Sequence, residues 1–116
     1  MSYKQKMEDQ RAELRVMSKA IPDAMRGFGA MEKAITENGT LDKRQKEWLA
    51  VAMGIVIRCE PCVNFHVSAL MRAGGTREEL SDICAVAIQM GGGPAMMYAA
   101  HALACWDELA ADSTQG

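Results

Sequence analysis

The amino-acid sequence predicts an all-α fold: a compact domain of six helices joined by short connections. Two observations carry this. Apolar residues recur at helical spacing, and the period-two alternation of a half-buried strand is missing. The punctuation also reads as helix boundaries, with Pro22, Pro61 and Pro94 suited to first turns and Asn38-Gly39, Gly74-Gly75 and Gly91-Gly92-Gly93 to stops.

Taken in order, residues 3–20 form a charged helix with a thin stripe of Met7, Leu14 and Ile21 at heptad spacing. It is expected to lie on its own protomer or on a neighbour. Ile21-Pro22-Asp23 opens a second helix to about Glu37, with Met25, Phe28, Met31, Ala34 and Ile35 along an expected inner face. Thr40 reads as the cap of a third helix, from Leu41 or Asp42 to about Arg58, whose stripe of Trp48, Val51, Ala52, Ile55 and Val56 marks it as central. The fourth begins near Glu60 and stops at Gly74-Gly75. Thr76-Arg77-Glu78-Glu79 is a capping box for a fifth, running to about Met90. Pro94 starts a sixth, expected to end near Ala111 ahead of a frayed tail at 112–116. The expectation is therefore one domain over 1–116, with its core in 22–111.

Composition narrows the function. A formal charge of −2 gives no general attraction for nucleic acid or anionic lipid. No apolar run reaches transmembrane length and no signal-peptide pattern appears, so neither a nucleic-acid nor a membrane partner is expected. Four cysteines without an export signal read as thiols of a cytoplasmic protein rather than a secreted disulfide framework. Ten Met against two each of Phe, Tyr and Trp point to a soft, polarizable core.

The chemistry concentrates in Arg58-Cys59-Glu60-Pro61-Cys62-Val63-Asn64-Phe65-His66. With Pro61 in a first turn, both cysteines fall near a helix N-terminus, where backbone N–H groups favour a thiolate. Cys62 and His66 are an i, i+4 pair, so their side chains share one face and the imidazole can take the thiol proton. Cys59 can close a short disulfide with Cys62. Helix-start exposure favours Cys59 as the attacking sulfur, whereas the adjacent base favours Cys62. Glu47 lies twelve residues before Cys59 on the preceding helix. About 18 Å of helix rise to Cys59, less about 10 Å on the return to His66, leaves a gap of roughly 8 Å for side-chain reach or a bridging water.

Glu47, Cys59-Glu60-Pro61-Cys62 and His66 together resemble the Glu…Cys-x-x-Cys-x-x-x-His signature of the alkylhydroperoxidase D-like proteins, within the carboxymuconolactone decarboxylase superfamily. The resemblance runs from about Leu41 to Leu109 and includes the Gly74-Gly75-Thr76 turn and the Gly91-Gly92-Gly93-Pro94 break. It implies an all-α fold, assembly as a homotrimer or homohexamer, and reduction of a small peroxide or a disulfide. Cys59 and Cys62 would be the redox pair, His66 the base acting on Cys62, and Glu47 the acid that orients His66. A thiol electron donor, lipoyl or thioredoxin-like, would complete the cycle, with no bound cofactor or metal. The family's best-studied type has a histidine just before the second cysteine, where this chain has Pro61.

Competing readings attach to the same residues. His101 and Cys105 repeat the i, i+4 spacing, and either one joined to Cys59, Cys62 and His66 would supply the four ligands of a zinc site in a scaffold module. His101 reads more simply as a core histidine, Cys84 as plain core, and Trp48 and Trp106 as packing or subunit-interface anchors. The decarboxylases that name the superfamily lack the cysteine pair, which makes a lactone decarboxylase the poorer expectation.

Overall fold

A computed structural model describes residues 2–115. Among them are six helices and no strand: α1 (Tyr3–Ala20), α2 (Pro22–Glu37), α3 (Lys43–Val56), α4 (Glu60–Arg72), α5 (Arg77–Gly91) and α6 (Gly93–Gln115). The all-α expectation therefore holds. Helices α3 to α6 enclose one core, with Val51 and Ile55 of α3, Val63, Val67 and Leu70 of α4, and Leu80 and Ile83 of α5 facing Ala99, Ala102 and Cys105 of α6. The small α6 residues let the other helices approach closely, and Trp106 closes the far end. No described helix is long and apolar enough to cross a membrane.

The caps account for most boundaries. Thr76 accepts from the Glu79 N–H, and Glu79 reaches back to the Thr76 N–H, as the capping box requires. At the start of α3 the cap is Asp42 rather than Thr40. Its carboxylate accepts from Gln45 N–H while the Gln45 side chain accepts from Asp42 N–H, a second box that displaces the helix start by two residues. The tail expected at 112–116 is also corrected, because α6 continues to Gln115; Gly116 lies outside the described residues.

Two helix ends share one geometry. After α4, Gly74 takes φ 88° while Gly75 N–H reaches Leu70 O and Gly74 N–H reaches Met71 O, a Schellman motif with glycine at the left-handed position. After α3, Cys59 N–H reaches Gly54 O and Arg58 N–H reaches Ile55 O, but the left-handed residue is Arg58, at φ 62°. A non-glycine residue there costs about 1–2 kcal/mol. That strained residue immediately precedes Cys59.

Of the two N-terminal helices, α1 lies on its own protomer, one of the two expected places, whereas α2 departs from expectation. α1 packs on α4 and α6 and buries Met7, and its first turn is held by Glu108, which accepts from Tyr3 N–H and Lys4 N–H. α2 packs mainly on α1 and buries nothing. Phe28, Met31 and Ile35, expected on an inner face, are 55%, 52% and 55% exposed. The periodicity correctly marks an apolar stripe, but among the described residues no neighbour buries it. Lys46 ties the C-terminal end of α2 to α3 by donating to Ile35 O and Asn38 O.

Candidate active site

The site is built on the reversal from α3 to α4. Gly54 makes the reversal tight: a Cβ there would sit 3.5 Å from Cys62 Cβ and 3.5 Å from Val63 Cγ2, so α3 backbone lies directly against the start of α4. Cys59 is the N-cap of α4, an unusual residue for that role, and its sulfur accepts from Cys62 N–H at 3.3 Å. Pro61 lies in the first turn, where its missing N–H costs nothing. Cys59 and Cys62 are joined by a disulfide, with Cα atoms 5.2 Å apart. Both are half-buried, so the pair lies at the protein surface rather than in the core.

One helical turn beyond Cys62, His66 Nδ1–H donates to Glu47 Oε2 at 2.7 Å. The gap expected from helix rise is therefore bridged directly. Residues 57–59 turn instead of continuing the helix, because α3 ends at Val56. The rise from Glu47 to Val56 is about 13 Å and the return from Glu60 to His66 about 9 Å, which side chains can span. The Glu47 hydrogen bond raises the His66 pKa above its ordinary value, against an opposing effect of burial. It also selects a tautomer: with Nδ1 donating, the neutral ring keeps its lone pair on Nε2. Glu47 and His66 line a cleft of about 230 Å³ shared with Glu32, Ile35 and Thr36 of α2.

The opposite face of α4 carries polar residues that the sequence does not flag as a group. Asn64 is 2% exposed, and its Oδ1 accepts from His101 Nε2–H at 2.6 Å. The Tyr3 ring meets His101 edge-on with centroids 4.5 Å apart. Burial lowers the His101 pKa, which disfavours the charged ring. His101 is thus a packed, hydrogen-bonded core histidine. Lys6 of α1 reaches Glu60, between the cysteines, with Nζ 2.8 Å from Oε1. The charge pattern along α1 hints at a surface helix, but nothing in it names Glu60 as a partner 54 residues away.

The remaining cysteines are remote in chemistry. Cys84 is buried and its S–H donates to Ala99 O at 3.6 Å, and burial raises its thiol pKa. Cys105 is fully buried, and burial with help from Glu108 pushes its thiol up to about 12. Among the described residues no three His, Cys, Asp or Glu side chains stand together as a metal-ligand group.

Comparison with known proteins shows the family and the fold. Residues 22–104 match the carboxymuconolactone decarboxylase family model. An uncharacterized protein of Cupriavidus necator is 44% identical over 93 residues, covering 80% of this chain and 82% of that one. A second, described as uncharacterized protein 4 in the cox locus of Paracoccus denitrificans, is 39% identical over 82 residues, covering 71% and 74%. Among solved structures, the apo form of a carboxymuconolactone decarboxylase family protein from Legionella pneumophila superposes with a TM-score of 0.87 at 38% identity, over 91% of this chain and 95% of that one. A Thermotoga maritima protein shares the fold, with a TM-score of 0.83 at 24% identity over 97% and 99% of the two chains. The six-helix fold, the matched span and the Glu47, Cys59-x-x-Cys62, His66 constellation agree: the chain belongs to the carboxymuconolactone decarboxylase family, as an alkylhydroperoxidase D-like member.

Proposed function

We propose that this protein is a thiol–disulfide oxidoreductase that reduces hydroperoxides at the Cys59–Cys62 pair. The observation that carries the reading is the Glu47–His66 hydrogen bond one helical turn from a cysteine that is already disulfide-bonded to its neighbour. A structural pair of thiols has no use for an oriented imidazole on the same helix face.

In the reduced enzyme, His66 takes the Cys62 proton, and Glu47 holds the ring and stabilises the resulting imidazolium. The Cys62 thiolate attacks the distal peroxide oxygen. The O–O bond breaks, a sulfenic acid forms on Cys62, and the alcohol leaves with the proton returned by His66. Cys59, activated at the helix N-cap, attacks the sulfenic sulfur, so that water departs and the disulfide closes. A donor dithiol, lipoyl or thioredoxin-like, then reduces the disulfide by exchange and carries away the two electrons as its own disulfide. The net change is hydroperoxide and donor dithiol to alcohol, water and donor disulfide.

The protein works as a homo-oligomer in this reading. Phe28, Met31 and Ile35 on α2, and Leu49 and Met53 on α3, leave apolar faces that a partner copy would cover.

Cysteine variants test the chemistry. Cys59→Ser and Cys62→Ser are expected to abolish dithiol-driven turnover of an organic hydroperoxide while leaving the circular dichroism spectrum unchanged. Serine at 59 is a good N-cap, so α4 keeps its start. Full activity of Cys59→Ser with a dithiol donor would overturn the intramolecular disulfide mechanism.

A further inference from the structure

We infer that Lys6 of α1 is a positioning residue for the cysteine pair: by holding and neutralising Glu60, it keeps the field around Cys59 and Cys62 favourable to a thiolate. The inference rests on the redox reading above and adds to it a residue from outside the signature.

Glu60 follows Cys59 directly and precedes Cys62 by two residues, in the first turn of α4. A carboxylate at this end of α4 favours the helix but opposes a thiolate at the same end, since a nearby like charge disfavours ionisation. Lys6 Nζ lies 2.8 Å from Glu60 Oε1, and this hydrogen bond holds the Glu60 carboxyl below its ordinary pKa. Paired this way, the two charges act on the sulfurs as a short dipole rather than as a bare anion.

The other groups facing Glu60 supply less of this compensation. From α1, Asp9 and Glu13 line the same cleft of about 300 Å³ and are themselves acidic. From α6, His101 acts on Glu60 less than Lys6 does, and burial lowers its own pKa. Lys6 is the cation hydrogen-bonded to Glu60, while Arg58, directly before Cys59, is exposed in the turn.

Its delivery is built into the fold. Glu108 on α6 pins the first turn of α1, Tyr3 packs against His101, and buried Met7 follows Lys6 on the same helix. Lys6 therefore arrives on an anchored helix rather than a frayed terminus.

The test uses the full chain, reduced, and reads the pH dependence of iodoacetamide alkylation at Cys59 and Cys62 by mass spectrometry. Alongside it, the potential of the pair is read against glutathione. Lys6→Met is expected to raise the apparent thiol pKa and slow alkylation at pH 7 by about three- to tenfold, a tenfold change corresponding to one pKa unit. The potential should become more negative, because the reduced state loses stabilisation. Lys6→Arg, which keeps the charge, should stay near the parent. The double variant Lys6→Met/Glu60→Gln should regain the parent's alkylation rate, because removing the carboxylate removes the need for the cation. A role confined to holding α1 would leave the double variant as impaired as the single one, and that result overturns the inference. So does an unchanged alkylation profile in Lys6→Met. Failure of the redox reading is separable: the unmutated protein would show no reversible two-electron couple, while the alkylation profiles would still report on Lys6.

Discussion

Glu47 on α3 and His66 on α4 are joined by a 2.7 Å hydrogen bond across a helix reversal whose left-handed pivot is Arg58. The bond exists because the chain turns back within three residues, 57–59, and because Gly54 lets α4 lie directly against α3. The same turn sets Cys59 at the N-cap. Acid, base and sulfurs are therefore all placed by one piece of backbone.

Glu47→Gln should lower the His66 pKa from its raised value toward the ordinary value of 6.5, read by NMR titration of the imidazole. The sign for stability follows from the direction of the shift. A folded-state pKa above the unfolded one gives stabilisation that is complete below about pH 6.5 and lost as pH rises through the folded value. The stability gap between parent and Glu47→Gln should thus be widest on the acid side, at no more than about 1 kcal/mol for a partly exposed pair, and should narrow toward alkaline pH. A gap that widens with pH would contradict the pairing.

Arg58→Gly should stabilise the fold. Relief of the left-handed strain is worth about 1–2 kcal/mol, and the greater freedom of glycine in the unfolded chain takes back about 0.4–1 kcal/mol. The expected net gain is roughly 0.5–1 kcal/mol in a urea melt with unchanged m-value. A loss of stability would mean that the Arg58 side chain makes an energetically important contact.

Only two of the four thiols should react quickly with a chromogenic disulfide after reduction. Cys84 and Cys105 are buried, and Cys105 is pushed up to about 12, so both should need denaturant. A third fast thiol in the native protein would show that the α5–α6 core opens readily.

Sedimentation equilibrium at low micromolar concentration should give a closed multiple of the 12.6 kDa chain, with a trimer or hexamer expected from the family. Met53→Glu, at a residue 61% exposed on an apolar face of α3, should shift the distribution toward smaller species. A monodisperse monomer of the parent would refute the assembly.

Much of this protein was legible in its sequence because the determining interactions are local. Helical periodicity, the Thr76–Glu79 box, the glycine stops and the i, i+4 spacing of Cys62 and His66 act within a few residues, so the chain reports them directly. The choice of Asp42 over Thr40 as a cap was also local, and was missed because Gln45 serves as well as the more familiar glutamate. Tertiary structure decided what depends on the path between elements. The left-handed Arg58 is invisible beforehand because no residue preference announces it, yet it sets the reversal that brings Glu47 to His66. Lys6 and Glu60 meet only because α1 folds back over α4, and no periodicity encodes that crossing. The stripe on α2 shows the same division: its residues fix which face is apolar, but only the packing determines that no neighbour among the described residues buries that face.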